Sequence, residues 1–317
     1  MRHVLFHYQA SPALARRLGA LASREGLAVE AVAPGDGAAL AAALPRAEVL
    51  WHVLEPVTAA MIAAAPRLML VQKIGVGVNT IGLAAAKARG IAVCNMPGTN
   101  SRAVAELTLA LLLACLRRVP ALDAATRSGL GWGRPADEMD RFGEVGGRTV
   151  GLVGYGAVPR LLAPVLRAMG AEVFYWTRTP SAEAPDAWRP LPDLLATSDV
   201  VSLHLPLAPG TERLIDRAAL ARMRPGSILV NTARGGLVDE EALMEALRGG
   251  RLAAAGLDVF ADEPLPAGGH PLLALDNVVL TPHVAWLTPE TLERSLVVAV
   301  ENCRRLAAGG SLLNRVA

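Results

Sequence analysis

The chain has 317 residues, of which 52% are hydrophobic and 19% charged, and its formal net charge is +2. This length fits two compact domains of roughly 100–200 residues each, and the composition excludes a globally disordered chain. The small net charge gives no electrostatic reason to expect nucleic acid or a membrane surface as a partner.

The cysteines and the apolar stretches set further limits. Cys94, Cys115 and Cys303 are odd in number and far apart, so they form no closed disulfide set and indicate a reducing cytoplasm. The longest apolar stretch, residues 103–116, contains Glu106 and is too short to span a bilayer, so we predict a buried helix there. The first residues lead directly into a strand-like segment without a signal-peptide pattern.

The first hundred residues alternate short apolar runs with alanine-rich helical segments. A helix is predicted at residues 12–23, and strands are predicted at residues 3–7, 27–32, 49–54, 68–71 and 91–94. Runs of this length bounded by Gly and Pro are typical of a buried parallel sheet. The pattern therefore predicts an α/β fold.

A second alternating series begins at Arg148, after a long helix that Thr99-Asn100-Ser101 would cap. The Gly- and Pro-rich stretch 128–147 between them is predicted to be an irregular arm anchored by Trp132. Strands are predicted at residues 149–153, 172–176, 200–203, 227–231, 254–257 and 278–280, and a terminal helix from 291 to about 306. We predict two doubly wound parallel-sheet domains. The discontinuous one comprises residues 1–98 plus 288–317, and the other comprises residues 99–287.

A glycine turn follows the first strand of the second series. Gly154 permits a tight turn, and Gly156 lets the backbone approach a pyrophosphate. The amides of Ala157 and Val158 open a helix whose N-terminus attracts an anion. Pro159 replaces the third glycine of a dinucleotide-binding fingerprint, which a first helical turn tolerates. The turn predicts a dinucleotide site, with a plain strand-to-helix turn as the alternative.

The strand end about 20 residues further on indicates which dinucleotide binds. An acid there would hold the ribose 2′-hydroxyl of NAD, whereas an arginine would accommodate the 2′-phosphate of NADP. This chain has Thr177, Arg178 and Thr179, a guanidinium between two hydroxyls. We therefore predict NADP as the cofactor. NAD remains the alternative, with Arg178 then an ordinary exposed arginine.

Three polar segments follow three predicted strands of the second series. They are Asn231-Thr-Ala-Arg-Gly235, Leu257-Asp-Val-Phe-Ala-Asp-Glu-Pro264 and Thr281-Pro-His-Val-Ala-Trp286. The carboxyl ends of strands are the edge at which open α/β sheets bind ligands. Together with the glycine turn, the order of these segments resembles the D-isomer-specific 2-hydroxyacid dehydrogenase family. The resemblance extends from the loop at residues 73–79 to the terminal helix.

The resemblance implies a flavodoxin-like substrate domain, a Rossmann cofactor domain and hydride transfer between NAD(P)H and C2 of a small 2-oxo or D-2-hydroxy acid. Arg234 would hold the substrate carboxylate and polarise the C2 oxygen. His283 would transfer the proton, because imidazole exchanges protons near neutral pH. Glu263 would fix the tautomer of His283 and keep the imidazole protonated for reduction. Each residue also has an alternative taken singly: Arg234 as an ion-paired strand end, His283 as a cap after proline, and Glu263 as part of a common Glu-Pro loop pair.

Further contacts are implied by the same resemblance. On the substrate side, the backbone of Val76 and Gly77 would bind the carboxylate, and Val53 or Leu54 would touch the substrate side group. Asp258 would lie near the nicotinamide carboxamide, with a strand-end cap as the alternative, and Thr108 would reach the cofactor or pack in the core. The remaining implied cofactor contacts are Tyr155, Leu205, Pro206, Thr232, Ala233 and Ala285, in addition to Arg234 and His283. No metal is predicted, because His3, His7, His204 and His270 have no partners at metal-ligand spacing.

The most similar activity is that of a glyoxylate/hydroxypyruvate reductase. Phosphoglycerate dehydrogenases are also similar, but the end of the chain at Ala317 would leave no room for their regulatory domain. A non-catalytic, dinucleotide-sensing scaffold of the same fold remains the alternative. The resemblance also implies a homodimer formed through the cofactor domain, by the helix at 101–118 and the arm at 119–146.

Overall fold

In a computed structural model the chain forms two compact units. Unit 1 comprises Met1–Asn100 and Leu287–Ala317, and unit 2 comprises Ser101–Trp286. The boundaries expected from the sequence lie within two residues of these. The structure describes residues 2–133, 136–182, 184–266 and 268–317.

Unit 1 contains a five-stranded parallel sheet in the order β2-β1-β3-β4-β5. Its strands are β1 (Arg2–His7), β2 (Leu27–Val32), β3 (Val49–His52), β4 (Leu70–Lys73) and β5 (Ala92–Cys94). Its helices are α1 (Pro12–Glu25), α2 (Gly37–Ala43), α3 (Ala59–Ala64), α4 (Leu83–Ala88) and, from the end of the chain, α11 (Pro289–Ala307), with a short 3-10 turn at Leu44–Arg46. The strand order 2-1-3-4-5 is that of the flavodoxin-like fold, as the family resemblance implies.

Unit 2 contains a seven-stranded parallel sheet in the order β12-β11-β10-β9-β6-β7-β8. Its strands are β6 (Thr149–Val153), β7 (Glu172–Trp176), β8 (Ala187–Trp188), β9 (Val200–Leu203), β10 (Ser227–Asn231), β11 (Leu252–Leu257) and β12 (Val278–Leu280). Its helices are α5 (Ser101–Arg117), α6 (Val119–Arg127), α7 (Ala157–Ala168), α8 (Leu191–Thr197), α9 (Arg217–Arg222) and α10 (Glu240–Arg248), with 3-10 turns at Ala136–Arg141, Gly235–Leu237 and Pro271–Ala274. Counted from β6, this is the 3-2-1-4-5-6 order of a Rossmann sheet with one added edge strand.

Helix ends follow local sequence signals. The hydroxyl of Ser11 accepts a hydrogen bond from the Leu14 amide at 3.2 Å, and α1 ends at Gly26 with a φ of 64°. The hydroxyl of Thr288 caps α11 in the same way, 3.1 Å from the amide of Thr291. Helix α11 then packs on the unit 1 sheet, where Asn302 Nδ2 donates to Gln72 Oε1 at 2.6 Å.

One expectation from the sequence was wrong, and two elements between α5 and β9 were not predicted. Trp132 does not anchor the arm, because its side chain is 95% exposed. Residues 119–127 form helix α6, which begins after Arg118 adopts a φ of 50°. The two-residue edge strand β8 was not predicted, since two residues carry no periodicity.

All seven strands of the unit 2 sheet run in one direction, so their carboxyl ends lie along one edge. The glycine turn follows β6, the Thr177–Thr179 segment follows β7, and the three polar segments follow β10, β11 and β12. This edge is where open α/β sheets bind their ligands.

Candidate active site

The loop after β10 is shaped by Asn231 and presents Arg234. Asn231 Oδ1 accepts from the Ala233 amide at 3.0 Å, and Asn231 Nδ2 donates to the carbonyl of Arg234 at 2.9 Å. Arg234 Nη1 donates to the Ala233 carbonyl at 2.5 Å. Burial lowers the pKa of Arg234, and the charge of Glu263 opposes this effect. Arginine nevertheless stays protonated in proteins, so the loop holds a half-buried cation.

The turn after β11 approaches the Arg234 loop very closely. A Cβ on Gly235 would lie 1.9 Å from the carbonyl carbon and oxygen of Phe260. Only glycine fits between the two backbones. Gly235 was not predicted as a site residue, although it directly follows Arg234. Asn231 was also missed, and its position at the end of a buried strand was the available signal.

Glu263 and His283 form a hydrogen-bonded pair. Glu263 Oε2 lies 2.6 Å from His283 Nδ1, and Glu263 Oε1 accepts from the Phe260 amide at 2.9 Å. Burial raises the pKa of Glu263, but the bond and charge of His283, the Phe260 amide and the charge of Arg234 outweigh it, and the net pKa is lowered. An ionised carboxylate only accepts hydrogen bonds, so the proton of the pair lies on Nδ1.

The backbone around His283 is held by Asp258, which is fully buried. Asp258 Oδ1 accepts from the Thr281 hydroxyl at 2.6 Å and the Val284 amide at 2.9 Å, and Oδ2 accepts from the Ala285 amide at 3.0 Å. The His283 amide donates to the carbonyl of Asp258 at 2.8 Å, and His283 has a φ of 55°. These bonds stabilise a left-handed backbone that non-glycine residues rarely adopt. Asp258 thus caps the loop, while a contact with the carboxamide stays a prediction.

The glycine turn after β6 has the geometry that a pyrophosphate needs. Gly154 has a φ of 100°, and a Cβ there would lie 2.6 Å from the His204 carbonyl oxygen. A Cβ on Gly156, at the N-terminus of α7, would meet no atom within 4 Å. Ala157 and Val158 are the first two residues of α7 and directly follow Gly156. The turn therefore combines a tight backbone with a free approach to a helix N-terminus.

The side chain of Tyr155, between the two glycines, points into the protein. Its hydroxyl donates to Asp186, which also pairs with Arg167, and its ring lies 4.4 Å from the Tyr175 ring. Burial, together with the Asp186 contact, raises the pKa of Tyr155 to about 12. Tyr155 can therefore contact a cofactor only through its backbone.

The segment after β7 leaves one guanidinium exposed. The Thr177 hydroxyl donates to the carbonyl of Thr179 at 2.7 Å, and Trp188 Nε1 donates to the carbonyl of Thr177 at 3.0 Å. Arg178 is exposed and forms no hydrogen bond or ion pair with any residue that the structure describes. A tightened turn thus presents an available cation at the end of β7.

The other predicted cofactor contacts differ in accessibility. Thr108 and Thr232 are buried and their hydroxyls lie 2.8 Å apart, with Thr108 also donating to Val104 at 2.7 Å. Leu205 is half-buried and Pro206 is exposed, whereas Ala285 is buried. The structure therefore gives Thr108 a bond to the Arg234 loop, and its contact with a cofactor stays a prediction.

In unit 1, the predicted substrate residues lie at the ends of β3 and β4. Val53 is buried, whereas Leu54 and Val76 are 41% and 43% exposed. The Lys73 ammonium donates to the carbonyl of Val53 and lies 3.4 Å from His52 Nε2. Burial, with the charges of Lys73 and His7, lowers the pKa of His52 to about 2. Lys73 thus links the end of β4 to the end of β3, beside the neutral imidazole of His52. Gly77 lies in the loop after β4.

Two kinds of feature are absent from the part of the chain that the structure describes. Within residues 2–133, 136–182, 184–266 and 268–317, no three His, Cys, Asp or Glu side chains are grouped as a metal site would need. Over the same ranges, every helix is too short or too polar to cross a membrane.

Comparison with known proteins gives matches over most of the chain. Residues 109–285 match the sequence model of the D-isomer specific 2-hydroxyacid dehydrogenase NAD binding domain. A D-3-phosphoglycerate dehydrogenase of Mycobacterium tuberculosis is 43% identical over 275 residues, 85% of this chain and 51% of that protein. A glyoxylate reductase of Aeropyrum pernix is 40% identical over 281 residues, 85% of this chain and 84% of that protein. The chain spans about half the length of the mycobacterial phosphoglycerate dehydrogenases that it matches.

A solved structure covers the whole fold. It is an NADPH-dependent glyoxylate/hydroxypyruvate reductase from Sinorhizobium meliloti in complex with NADP and malonate. The TM-score is 0.83 at 29% sequence identity, and the alignment covers 100% of this chain and 97% of that chain.

Proposed function

This chain belongs to the D-isomer-specific 2-hydroxyacid dehydrogenase family, and we propose that it is a reductase of small 2-oxo acids that prefers NADPH. In the reverse direction it would oxidise D-2-hydroxy acids. The observation that carries the proposal is the 2.6 Å hydrogen bond between Glu263 and His283. The charge of Arg234 also lowers the pKa of the Glu263 carboxylate. A glyoxylate- or hydroxypyruvate-like acid is the proposed substrate, as for the relatives with these names.

The residues of unit 2 fit a nicotinamide dinucleotide. Gly154 and Gly156 would admit its pyrophosphate, and the amides of Ala157 and Val158 at the start of α7 would bind it. The segments around Leu205, Pro206, Thr232 and Ala233 would flank it. When bound, the reduced dinucleotide supplies the hydride, and one proton completes the reduction of the 2-oxo acid to the 2-hydroxy acid.

Arg234 would bind and orient the substrate. Its planar guanidinium can pair with a carboxylate through two parallel hydrogen bonds, which also fixes the direction from which C2 is attacked. Its partial burial strengthens this interaction, because charges interact more strongly away from water. The amides of Val76 and Gly77 in unit 1 are proposed as further carboxylate donors.

His283 would supply the proton. Its Nδ1 is bonded to Glu263, so Nε2 is the ring nitrogen left to donate to the oxygen at C2. The ionised Glu263 stabilises the imidazolium before transfer and keeps its ring oriented, as the carboxylate does in other His–carboxylate pairs. In the oxidation direction the same Nε2 would accept the hydroxyl proton.

Substitution of His283 tests the catalytic assignment. His283→Gln should lower the rate of glyoxylate or hydroxypyruvate reduction by at least about 100-fold, since general acid catalysis contributes about 10²–10⁴-fold. Binding of NADPH, followed by fluorescence, should be unchanged. Near-normal turnover would contradict the role of His283. If wild-type protein binds NADPH but consumes none with a panel of 2-oxo acids, it is a sensing scaffold rather than a reductase.

NADPH preference is proposed because Arg178 is exposed without a partner among the described residues and no acid stands at the end of β7. The experiment is a comparison of kcat/KM for NADPH and NADH with one substrate at saturation. A value for NADH equal to or above that for NADPH would refute the preference.

We also propose a homodimer formed by α5, α6 and the arm that follows. Three apolar side chains of this region are strongly exposed, namely Val119 at 51%, Leu130 at 72% and Trp132 at 95%. Exposed apolar groups in one region are typical of interaction surfaces. Light scattering should give twice the monomer mass, and Trp132→Ser should weaken the association. A monomer at micromolar concentration would disprove it.

A further inference from the structure

A second His–carboxylate pair lies behind the turn that carries Glu263. Glu240 Oε1 is 3.0 Å from His270 Nε2, and both side chains are 17% exposed. Glu240 Oε2 also accepts from the amide of Ala261 at 3.1 Å. Neither Glu240 nor His270 has a part in the mechanism proposed above.

The partners of His270 determine its tautomer. His270 Nδ1 accepts from the amide of Leu272 at 3.4 Å, at the start of the Pro271–Ala274 turn. A backbone amide can only donate, so Nδ1 must be unprotonated and the proton lies on Nε2. Nε2 therefore donates to Glu240. The pair is anchored in turn by Leu272, whose side chain is fully buried.

Two consecutive amides of the catalytic turn, defined here as residues 260–263, are held by two different carboxylates. The Phe260 amide donates to Glu263, which belongs to the turn itself, and the Ala261 amide donates to Glu240, which belongs to α10. The first bond sets the carboxylate of Glu263 relative to its turn. The second sets the turn relative to the rest of unit 2.

We propose that Glu240 and His270 are positioning residues for the reaction, which hold the catalytic turn so that Glu263 stays within hydrogen-bond distance of His283. This inference rests on the proposed function. Neither residue is required to touch the substrate or the cofactor. The magnitude follows from the sensitivity of catalysis to misplacement, because a shift of about 1 Å costs on the order of 100-fold in rate.

An ordinary helix-capping role does not account for Glu240. The side chain of Asp239 already caps α10, with Oδ1 accepting from the Ala242 amide at 3.0 Å. A negative charge in the first turn stabilises a helix dipole, but Glu241 supplies the same charge in the same turn. Glu241 is exposed and lies outside the network of His270 and Ala261. It is therefore the matched control.

The experiment compares Glu240→Gln with Glu241→Gln in the full-length protein. Glu240 accepts these two bonds on different oxygens, and glutamine replaces one of the oxygens with an NH₂ group, so one of the two donors loses its acceptor. We expect kcat for glyoxylate reduction to fall about tenfold or more in Glu240→Gln, equivalent to about 1.4 kcal/mol. The dissociation constant of NADPH should stay within about twofold of the wild-type value, and Glu241→Gln should match the wild type in both.

A pH profile separates positioning from general destabilisation. The pKa of Glu263 is kept low by His283, the Phe260 amide and Arg234 against the effect of burial. A loosened turn weakens these contacts, so the pKa of Glu263 rises toward its ordinary value. The acid limb of kcat/KM should therefore move to higher pH in Glu240→Gln and stay in place in Glu241→Gln. His270→Asn, which keeps the Glu240 carboxylate, is the second variant and should shift the limb in the same direction.

A crystal structure of the Glu240→Gln protein gives a result that does not depend on turnover. We expect the separation of Glu263 Oε2 and His283 Nδ1 to exceed the 2.6 Å of the wild type and to leave hydrogen-bond range. An unchanged pair, with an unchanged acid limb, would overturn the proposal even if the melting temperature fell. A wild-type protein without turnover would instead refute the proposed function, and the distance would still decide this inference.

Discussion

Replacing Gly235 with alanine should disable catalysis by separating the Arg234 loop from the turn that carries Glu263. The added Cβ would lie 1.9 Å from the carbonyl carbon and oxygen of Phe260 and 2.5 Å from the Ala261 nitrogen. Carbon atoms pack at about 3.5–4.0 Å, so the two backbones must separate by about 1.5 Å. The obstacle is backbone rather than a flexible side chain, and Arg234 and Glu263 lie on opposite sides of it. A misplacement of this size predicts a loss of at least about 100-fold in kcat.

Gly236→Ala is the control for this experiment. Its Cβ would meet only the side chain of Leu207, with the nearest atom at 3.0 Å, and a leucine terminus can rotate away. The assay is steady-state reduction of glyoxylate with NADPH, together with NADPH binding and thermal unfolding. Overpacking costs about 1–3 kcal/mol, so both variants should remain folded. If Gly235→Ala retained kcat within about threefold of Gly236→Ala, the argument that these two loops must stay in contact would fail.

Three further changes test other parts of the site. Arg178→Gln should lower kcat/KM for NADPH by about 10–100-fold, as expected for loss of a hydrogen bond to a charged group, and an equal loss with NADH would contradict the assignment. Asp258→Ala leaves the Val284 and Ala285 amides and the Thr281 hydroxyl without their acceptor, at about 1–3 kcal/mol for each buried group, so calorimetry should show a clearly lower melting temperature. An unchanged melting temperature would show that Asp258 does not hold the loop. Glu263 has a lowered pKa, so its carboxylate stays ionised as the pH falls through the ordinary glutamate range near about 4.3, and reduction should persist there. The Glu263→Gln variant should reduce glyoxylate more slowly at every pH, and its rate should show no fall due to protonation of residue 263. If the wild-type rate already fell above about pH 5, the pKa of Glu263 would be raised and not lowered.

The sheets of both units were predictable because buried parallel strands have a strong local signal. Strands β6, β7, β9, β10 and β12 have the bounds that apolar runs between Gly, Pro and polar residues indicate. The positions of Arg234 and His283 follow from the same reasoning, since each lies just beyond a strand and parallel strands end at one edge. Glu263 lies further along the loop after β11, and its place beside His283 was implied by the family resemblance. The sequence therefore predicts which side chains share an edge.

Contacts between loops were not predictable from local patterns, and the pairing of Glu263 with His283 was expected only from the family resemblance. In the sequence Gly235 does not differ from other glycines that follow a strand, and only the structure shows the Phe260 carbonyl packed against it. From the sequence, Asp258 could be either a cofactor contact or a cap of the loop. The three hydrogen bonds that its carboxylate accepts from the His283 loop are visible only in the structure. Trp132 was wrongly expected to be an anchor, since an aromatic residue between glycines does not show whether anything covers it.

Pro159 shows which parts of a dinucleotide fingerprint are fixed by the backbone and which by packing. Gly154 has a positive φ, and a Cβ there would lie 2.6 Å from the His204 carbonyl oxygen, so the fold itself excludes a side chain. A Cβ on Gly156 would meet no atom within 4 Å, so glycine is needed there only for the proposed approach of a pyrophosphate. The third glycine serves close packing between helix and strand, and packing can be met in other ways. Pro159 is buried in the first turn of α7, where its missing amide breaks no helical bond. Ala163, one turn further along the same helix, is fully buried. The first glycine is therefore fixed by the backbone of this fold, whereas the third can be replaced where other side chains pack the helix against its strand.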